Sequence, residues 1–334
     1  MHGGNLNQAA AEYNISLDNI SLDNSAENWL DLSTGINPNG YPIADIPAAL
    51  WQRLPLNDDG LIEAAQHYYQ APYVLATAGS QAAIQALPSL RAACNVAMQS
   101  TMYAEHASSW AKHGHSIHYF DSTPNATLLN KVEVLEVCNP NNPTGEIIQP
   151  ETLLAWHAEL SQKGGWLVVD EAFMDSTPEL SLGQYTHLPN LIVLRSLGKF
   201  FGLAGARVGF VLAVQNLLAQ LQDSLGPWPI AGPARYIATQ ALQNMAWQYA
   251  TRSTLNVASL RLNTLLIQHG LTPQGGSALF QWVPSNNAQE IHIHLAQHGI
   301  WTRLFSQWSA LRFGLPAANG WARLDAALLS LQKN

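Results

Sequence analysis

One lysine in this chain stands in a setting that none of the others shares. The run Ser196-Leu-Gly-Lys199-Phe-Phe-Gly202-Leu-Ala-Gly205-Ala-Arg207-Val-Gly209 follows an apolar stretch, Leu191-Ile-Val-Leu-Arg195, and surrounds Lys199 with four glycines and an arginine. The 334 residues contain five lysines, Lys112, Lys131, Lys163, Lys199 and Lys333, and only Lys199 is placed this way. A lysine at a strand end, with backbone free to approach a ligand and a cation nearby, meets the needs of a Schiff base to a phosphorylated aldehyde. A solvated lysine in a tight turn is the plainer reading of the segment. The remaining chemistry-bearing residues decide between the two.

Those residues sit at the ends of other apolar runs. Asn139-Pro-Asn-Asn142-Pro-Thr-Gly145 follows Val132-Glu-Val-Leu-Glu-Val-Cys138, and Asp170-Glu-Ala-Phe173 follows Trp166-Leu-Val-Val169. Ala78-Gly79-Ser80-Gln81 precedes a helical pattern carrying Ile84, Leu87 and Leu90, and Tyr103-Ala-Glu-His106 follows Val96-Ala-Met98. Each candidate therefore lies at the carboxyl end of an expected strand, where open α/β sheets collect their ligands. Strands separated by helix-length segments predict an α/β fold with a mostly parallel, doubly wound sheet.

This set of motifs is similar to that of the fold-type I pyridoxal-phosphate (PLP) enzymes, a group that includes the class I and II aminotransferases. Within it, His2-Gly-Gly-Asn5, Leu30-Asp-Leu-Ser33-Thr-Gly35-Ile-Asn37-Pro38, Arg53-Leu-Pro55 and Gly226-Pro-Trp228 resemble the L-threonine-O-3-phosphate decarboxylases of cobalamin biosynthesis, in the aerobic-pathway branch. The resemblance implies a PLP-dependent transferase fold with a smaller α+β domain, and a role for each matching residue. Lys199 would hold PLP and move protons. Asp170 would pair with the pyridine nitrogen, where the residues alone also allow a helix N-cap. Asn142 would bond the phenolic oxygen, although Asn-Asn-Pro-Thr-Gly is also ordinary turn chemistry. Tyr103 would stack on the ring. Gly79, Ser80, Gln81, Ser196 and Arg207 would hold the phosphate at a helix start. Arg312 would grip the substrate carboxylate with its planar fork. Arg303, His2, Asn5, Gly35 and Asn37 would surround the second substrate anion.

Two positions depart from the wider pattern. Phe173 stands where many aminotransferases carry a tyrosine that reaches the PLP phenolic oxygen, and Leu54 stands where relatives carry a tyrosine that reaches the neighbouring subunit's phosphate. Leucine donates no hydrogen bond. The resemblance implies decarboxylation of L-threonine O-3-phosphate to (R)-1-amino-2-propanol O-2-phosphate. Two alternatives stay open: transamination of a phosphorylated amine such as histidinol phosphate, and PLP binding without turnover.

Length and composition set the frame. A chain of 334 residues can bury two lobes, expected as an N-terminal arm over 1–40, a large domain over 41–235 and a small domain over 236–334. A net charge of −8 argues against a nucleic-acid partner. Two cysteines, Cys94 and Cys138, offer no disulfide framework. With no signal-like start and no membrane-length apolar run, the cytoplasm is the expected location. His292, His294 and His298 lack a third-ligand pattern for zinc, so no metal is expected. A homodimer is implied by the resemblance.

Overall fold

The computed structural model describes residues 3–13 and 29–331. It divides into two compact units, one of Gly40–Asn142 with Glu146–Ala250, the other of Met1–Asn39, Pro143–Gly145 and Thr251–Asn334. The last boundary along the chain, between Ala250 and Thr251, falls inside a long helix, Met245–Gln268.

The first strand in the chain, β1 (Leu30–Asp31), belongs to the smaller unit. The larger unit holds β2 (Val74–Thr77), β3 (Asn95–Gln99), β4 (Ser116–Phe120), β5 (Val134–Cys138), β6 (Trp166–Asp170), β7 (Leu191–Ser196) and β8 (Gly209–Leu212) in one sheet of order β2-β8-β7-β6-β5-β3-β4. Every residue of β5, β6 and β7 is buried. Near-continuous apolar runs are what a parallel sheet covered on both faces requires. Helices such as Ala104–Lys112 and Pro150–Ser161 supply crossovers, the latter starting on a proline whose missing N–H costs nothing at that position. Ile84, Val96, Met98, Val134, Val168, Ile192 and Val211 share one apolar cluster.

The sheet is parallel except at β8, which runs against both β7 and β2. A parallel neighbour needs a helical crossover, whereas an antiparallel one needs only a tight connection. Residues 197–208 form such a connection: the Leu197 N–H donates to Val208 O at 3.1 Å, and the chain turns through positive φ at Gly202 (68°) and Arg207 (52°). The register sets Ser196 opposite Gly209 on one side of β8 and Thr77 opposite Gly209 on the other. The Lys199 loop and the start of the Ser80–Ala86 helix are neighbours for that reason.

In the smaller unit, β9 (Gly275–Ser277), β10 (Phe280–Pro284), β12 (Arg303–Phe305) and β13 (Ala310–Gly314) form an antiparallel sheet of order β12-β13-β10-β9, and β1 pairs in parallel with β11 (Ile300–Trp301). The helix Leu6–Tyr13 is anchored there by Ala9 and Ala10, which cluster with Trp29, Ala296 and Trp301. Among the described residues, no helix is long and apolar enough to cross a membrane.

Candidate active site

In the larger unit β5 and β6 end level, with Cys138 opposite Asp170, while β7 runs two residues past Leu194, the partner of Asp170, to Ser196. The loop leaving β5 is pinned along its length. The Asn139 side chain donates to Ile148 O at 3.0 Å and accepts from Ile148 N–H at 2.8 Å, while its own N–H donates to Asp170 O at 2.8 Å. The Asn141 amide donates to Thr101 O at 2.6 Å, and the Asn141 N–H to Glu146 O at 2.8 Å. These bonds fix the backbone that carries half-buried Asn142. The Asn139–Pro140 peptide is cis.

Asp170 is 6% exposed, and its carboxylate is held from two sides. Oδ1 accepts the Ala172 N–H at 2.9 Å, and Oδ2 lies 2.9 Å from His106 Nε2. His106 is itself buried, with Nδ1 2.6 Å from Glu136 Oε1. Burial alone would strip this imidazole of its proton; the Glu136 carboxylate, with Cys138 and the bond to Asp170, outweighs that and holds its pKa well above the ordinary value. Tyr103, at the start of the Ala104–Lys112 helix, packs edge-on against His106 with centroids 5.9 Å apart, and its hydroxyl donates to Gln81 Oε1 at 3.3 Å. Gln81 in turn donates to Glu105 at 3.0 Å.

Beyond β7, the Ser196 hydroxyl accepts the Gly198 N–H at 3.2 Å, and the half-buried Lys199 ammonium lies 5.3 Å from the centre of the Phe173 ring. Gly79 has φ +73° and ψ 165°, and a Cβ there would fall 2.7 Å from Arg207 Nη2. The guanidinium therefore lies against the bare Cα that opens the Ser80–Ala86 helix. A Cβ on Gly209 would meet Ser80 N at 2.4 Å and Gly79 C at 2.5 Å, so only glycine lets β8 come this close. The result is an anion cradle: the N–H groups of a helix's first turn, a hydroxyl from Ser80, another from Ser196, and the Arg207 cation. The chemistry of this donor set, with buried Asp170 at the end of β6 and Lys199 in the loop after β7, suits the phosphate, the pyridine nitrogen and the aldehyde of PLP.

Arg195, one residue before Ser196, points elsewhere. It is fully buried with Nη1 2.6 Å from Glu171 Oε2 and Nη2 2.5 Å from Asp175 Oδ1, and its guanidinium stacks 4.5 Å from the Tyr69 ring centre. Alternation along β7 sends Arg195 and Ser196 to opposite faces. Glu171 follows Asp170 in the same way, so this ion cluster braces the loop after β6 from behind.

The smaller unit carries the expected substrate residues. Arg312 on β13 is directly opposite Arg303 on β12. Arg312 is buried, its Nη2 donates to Ser33 O at 2.6 Å, and its pKa is pushed down to about 10 by burial and by Arg303, with Asp31 opposing. Two cations paired across strands repel unless an anion joins them. Asp31 Oδ1 accepts from the Ser33 N–H at 2.8 Å and hydroxyl at 2.6 Å, and Ser33 Oγ accepts the Gly4 N–H at 2.8 Å. This chain of bonds ties the Gly4–Asn5 segment to Ser33, the same residue that Arg312 holds. Gly35 turns at φ +61°, and buried Asn37 caps the next turn by accepting the Asn39 N–H at 2.9 Å. Asn5 is exposed at the start of the Leu6–Tyr13 helix, and His2 lies outside the described residues.

Three participants were not singled out from sequence. Glu136 interrupts an otherwise apolar strand, and a lone acid at such a place must find a buried partner. His106 follows Tyr103 by one helical step, which puts both on one face. Asp31 sits among motif residues but offers no signal of its own.

Comparison with known proteins places these features in context. Residues 54–334 match the family model described as aminotransferase class I and II. A threonine-phosphate decarboxylase from Pseudomonas aeruginosa is 50% identical over 99% of this chain and 98% of its own length. Another protein of that name, from Sinorhizobium sp, is 39% identical over 99% of this chain and 98% of its own length. Among solved structures, the histidinol-phosphate aminotransferase from Clostridium acetobutylicum superposes with a TM-score of 0.80 at 20% identity, covering 91% of this chain and 99% of that one.

Proposed function

The chain belongs to the aminotransferase class I and II family, and on that premise we propose that it decarboxylates L-threonine O-3-phosphate to (R)-1-amino-2-propanol O-2-phosphate. The observation that carries this reading is the 50% identity, across nearly the whole of both chains, to a threonine-phosphate decarboxylase. The fold likeness to an aminotransferase, at 20% identity, supports the architecture alone.

PLP, when bound, supplies an electron sink for the pair left behind as the Cα–carboxylate bond breaks. The residues of this chain do the rest. Asp170 accepts the hydrogen of the ring nitrogen and keeps it protonated. The Gly79–Gln81 helix start, Ser196 and Arg207 would hold the phosphate by contacts of about 1.5–3 kcal/mol each where charge assists, independently of Lys199. Lys199 Nζ would hold the aldehyde and would deliver a proton to the carbon from which carbon dioxide leaves. Tyr103 would cover one ring face and Asn142 would bond the phenolic oxygen. Phe173, apolar and buried, adds no second hydrogen bond to that oxygen. Arg312 and Arg303 bind the two substrate anions, and the Gly4–Asn5 segment, with Gly35 and Asn37, walls that site.

Mixing the protein, PLP and L-threonine O-3-phosphate and identifying products by mass spectrometry tests the reading. Carbon dioxide and the phosphorylated amino alcohol, with no keto acid, are expected. Accumulation of a keto acid with pyridoxamine phosphate would make transamination the activity, and an absorbance unmoved by any amine would leave a binding protein.

The protein works as a homodimer in the cytoplasm on this reading. Trp51, Leu54 and Leu56 are 68%, 62% and 63% exposed on the larger unit, an apolar surface suited to a second copy. Sedimentation of the active species checks this, and an active monomer would refute it.

A further inference from the structure

His106 presents both ring nitrogens to carboxylates: Nδ1 to Glu136 at 2.6 Å and Nε2 to Asp170 at 2.9 Å. A neutral imidazole has one N–H, so one of these contacts would set a lone pair against an anion. Two protons on the ring would remove that repulsion, with the aligned hydrogen bond at Nε2 and a short ion-pair approach at Nδ1. Glu136 is held for the task, since its Oε2 accepts the Trp110 indole N–H while Oε1 faces His106, and both Glu136 and Trp110 are 1% exposed. The groups facing the ring are Glu136 and Cys138 on β5, Asp170 at the end of β6, and Tyr103 at the helix start.

We propose that Glu136, locked by Trp110, is a positioning residue that keeps His106 a doubly protonated bridge to Asp170 and so fixes the acid that meets the cofactor ring. The functional half of this proposal rests on the PLP reading above; the protonation of His106 does not. The Glu136→Gln variant isolates the charge. With its amide oxygen taken by the Trp110 N–H, the new amide nitrogen donates to Nδ1 of a neutral ring, which still donates Nε2–H to Asp170. The bond to Asp170 survives and the cation does not.

Nitrogen-15 NMR of the histidine rings in the apoprotein at about pH 8, where an unperturbed imidazole of pKa about 6.5 is neutral, reads the first point. The His106 signal, assigned by its loss in His106→Asn, is expected to show two protonated nitrogens; one bare nitrogen would overturn the proposal. In Glu136→Gln the same signal is expected to become singly protonated. The pH profile of kcat should then gain an ionisation between about pH 6 and 8 that the parent lacks, while KM for L-threonine O-3-phosphate stays within about twofold, because the substrate anions are held elsewhere. A variant profile superimposable on the parent refutes the positioning role. If the variant does not fold, the parent's own spectrum decides. If the protein turns out not to act on L-threonine O-3-phosphate, the spectrum still reads, so the two failures are distinguishable.

Discussion

Gly79→Ala is the sharpest perturbation of the phosphate cradle. At φ +73° and ψ 165° the backbone occupies a region essentially reserved for glycine, so a methyl group adds strain of about 1–3 kcal/mol whatever surrounds it. Its surroundings matter as well. The new Cβ falls 2.7 Å from Arg207 Nη2 and 3.2 Å from Cζ, so the guanidinium must move off the helix start. Strain is charged to folding, but displacement of Arg207 is charged to the ligand, at about 1.5–3 kcal/mol for one charge-assisted contact. At 1.4 kcal/mol per factor of ten, the PLP dissociation constant of the apoprotein should rise about 10- to 100-fold. Gly114→Ala is the control for a methyl group at positive φ: its φ is +84° and a Cβ there meets nothing within 4 Å, so nothing is displaced. Titrating PLP into each apoprotein by absorbance, with thermal unfolding alongside, separates the terms. A folded Gly79→Ala protein whose PLP affinity lies within about twofold of the parent would show that Arg207 does not serve the phosphate.

Three further outcomes follow from the structure. Lys199→Ala should abolish the visible absorbance band of the PLP complex, and a retained band would remove Lys199 from its assigned place. Arg312→Ala should raise KM for the substrate at least about tenfold, the worth of one charge-assisted contact, with PLP affinity within about twofold; equal loss of both would misplace the carboxylate site. His292, whose pKa is pushed down to about 4 by burial and then by Arg303, donates to or accepts from Thr302 Oγ1 at 2.8 Å as a neutral ring. The unfolded chain takes up that proton near the ordinary 6.5 and the folded one near 4, so stability should fall as pH drops through this window. Denaturant unfolding across that range should show a shallower slope in His292→Gln, and an unchanged slope would assign the loss to other groups.

Much of the sheet is legible because its central strands are buried on both faces: Leu135, Val137, Leu167, Val169, Ile192 and Val193 leave little else to fold into. The chemistry-bearing residues at strand ends are legible for the same reason, since the apolar runs mark where each strand stops. Strand direction is not. Gly209–Leu212 reads like any other buried strand, and only the short connection from Ser196, with a non-glycine residue at positive φ, shows that it must run back. Burial of charge was also hidden. Glu136 and Arg195 stand out as charged residues within apolar runs, but their partners, His106 at 30 positions' distance and Glu171 and Asp175 at 24 and 20, come together only through the parallel pairing of β5, β6 and β7. The face-to-face arrangement of Arg303 and Arg312 depends on a turn at Ser306–Trp308 whose register composition does not specify.

The single reversed strand has a consequence for how the protein comes apart. Because β8 is hydrogen-bonded to β2 on one edge and to β7 on the other, the two halves of the phosphate seat share one four-residue hinge pin. Peeling that pin loose would dissolve the seat and set the lysine adrift in the same event. With PLP seated as proposed, its release and the fraying of this region would be coupled.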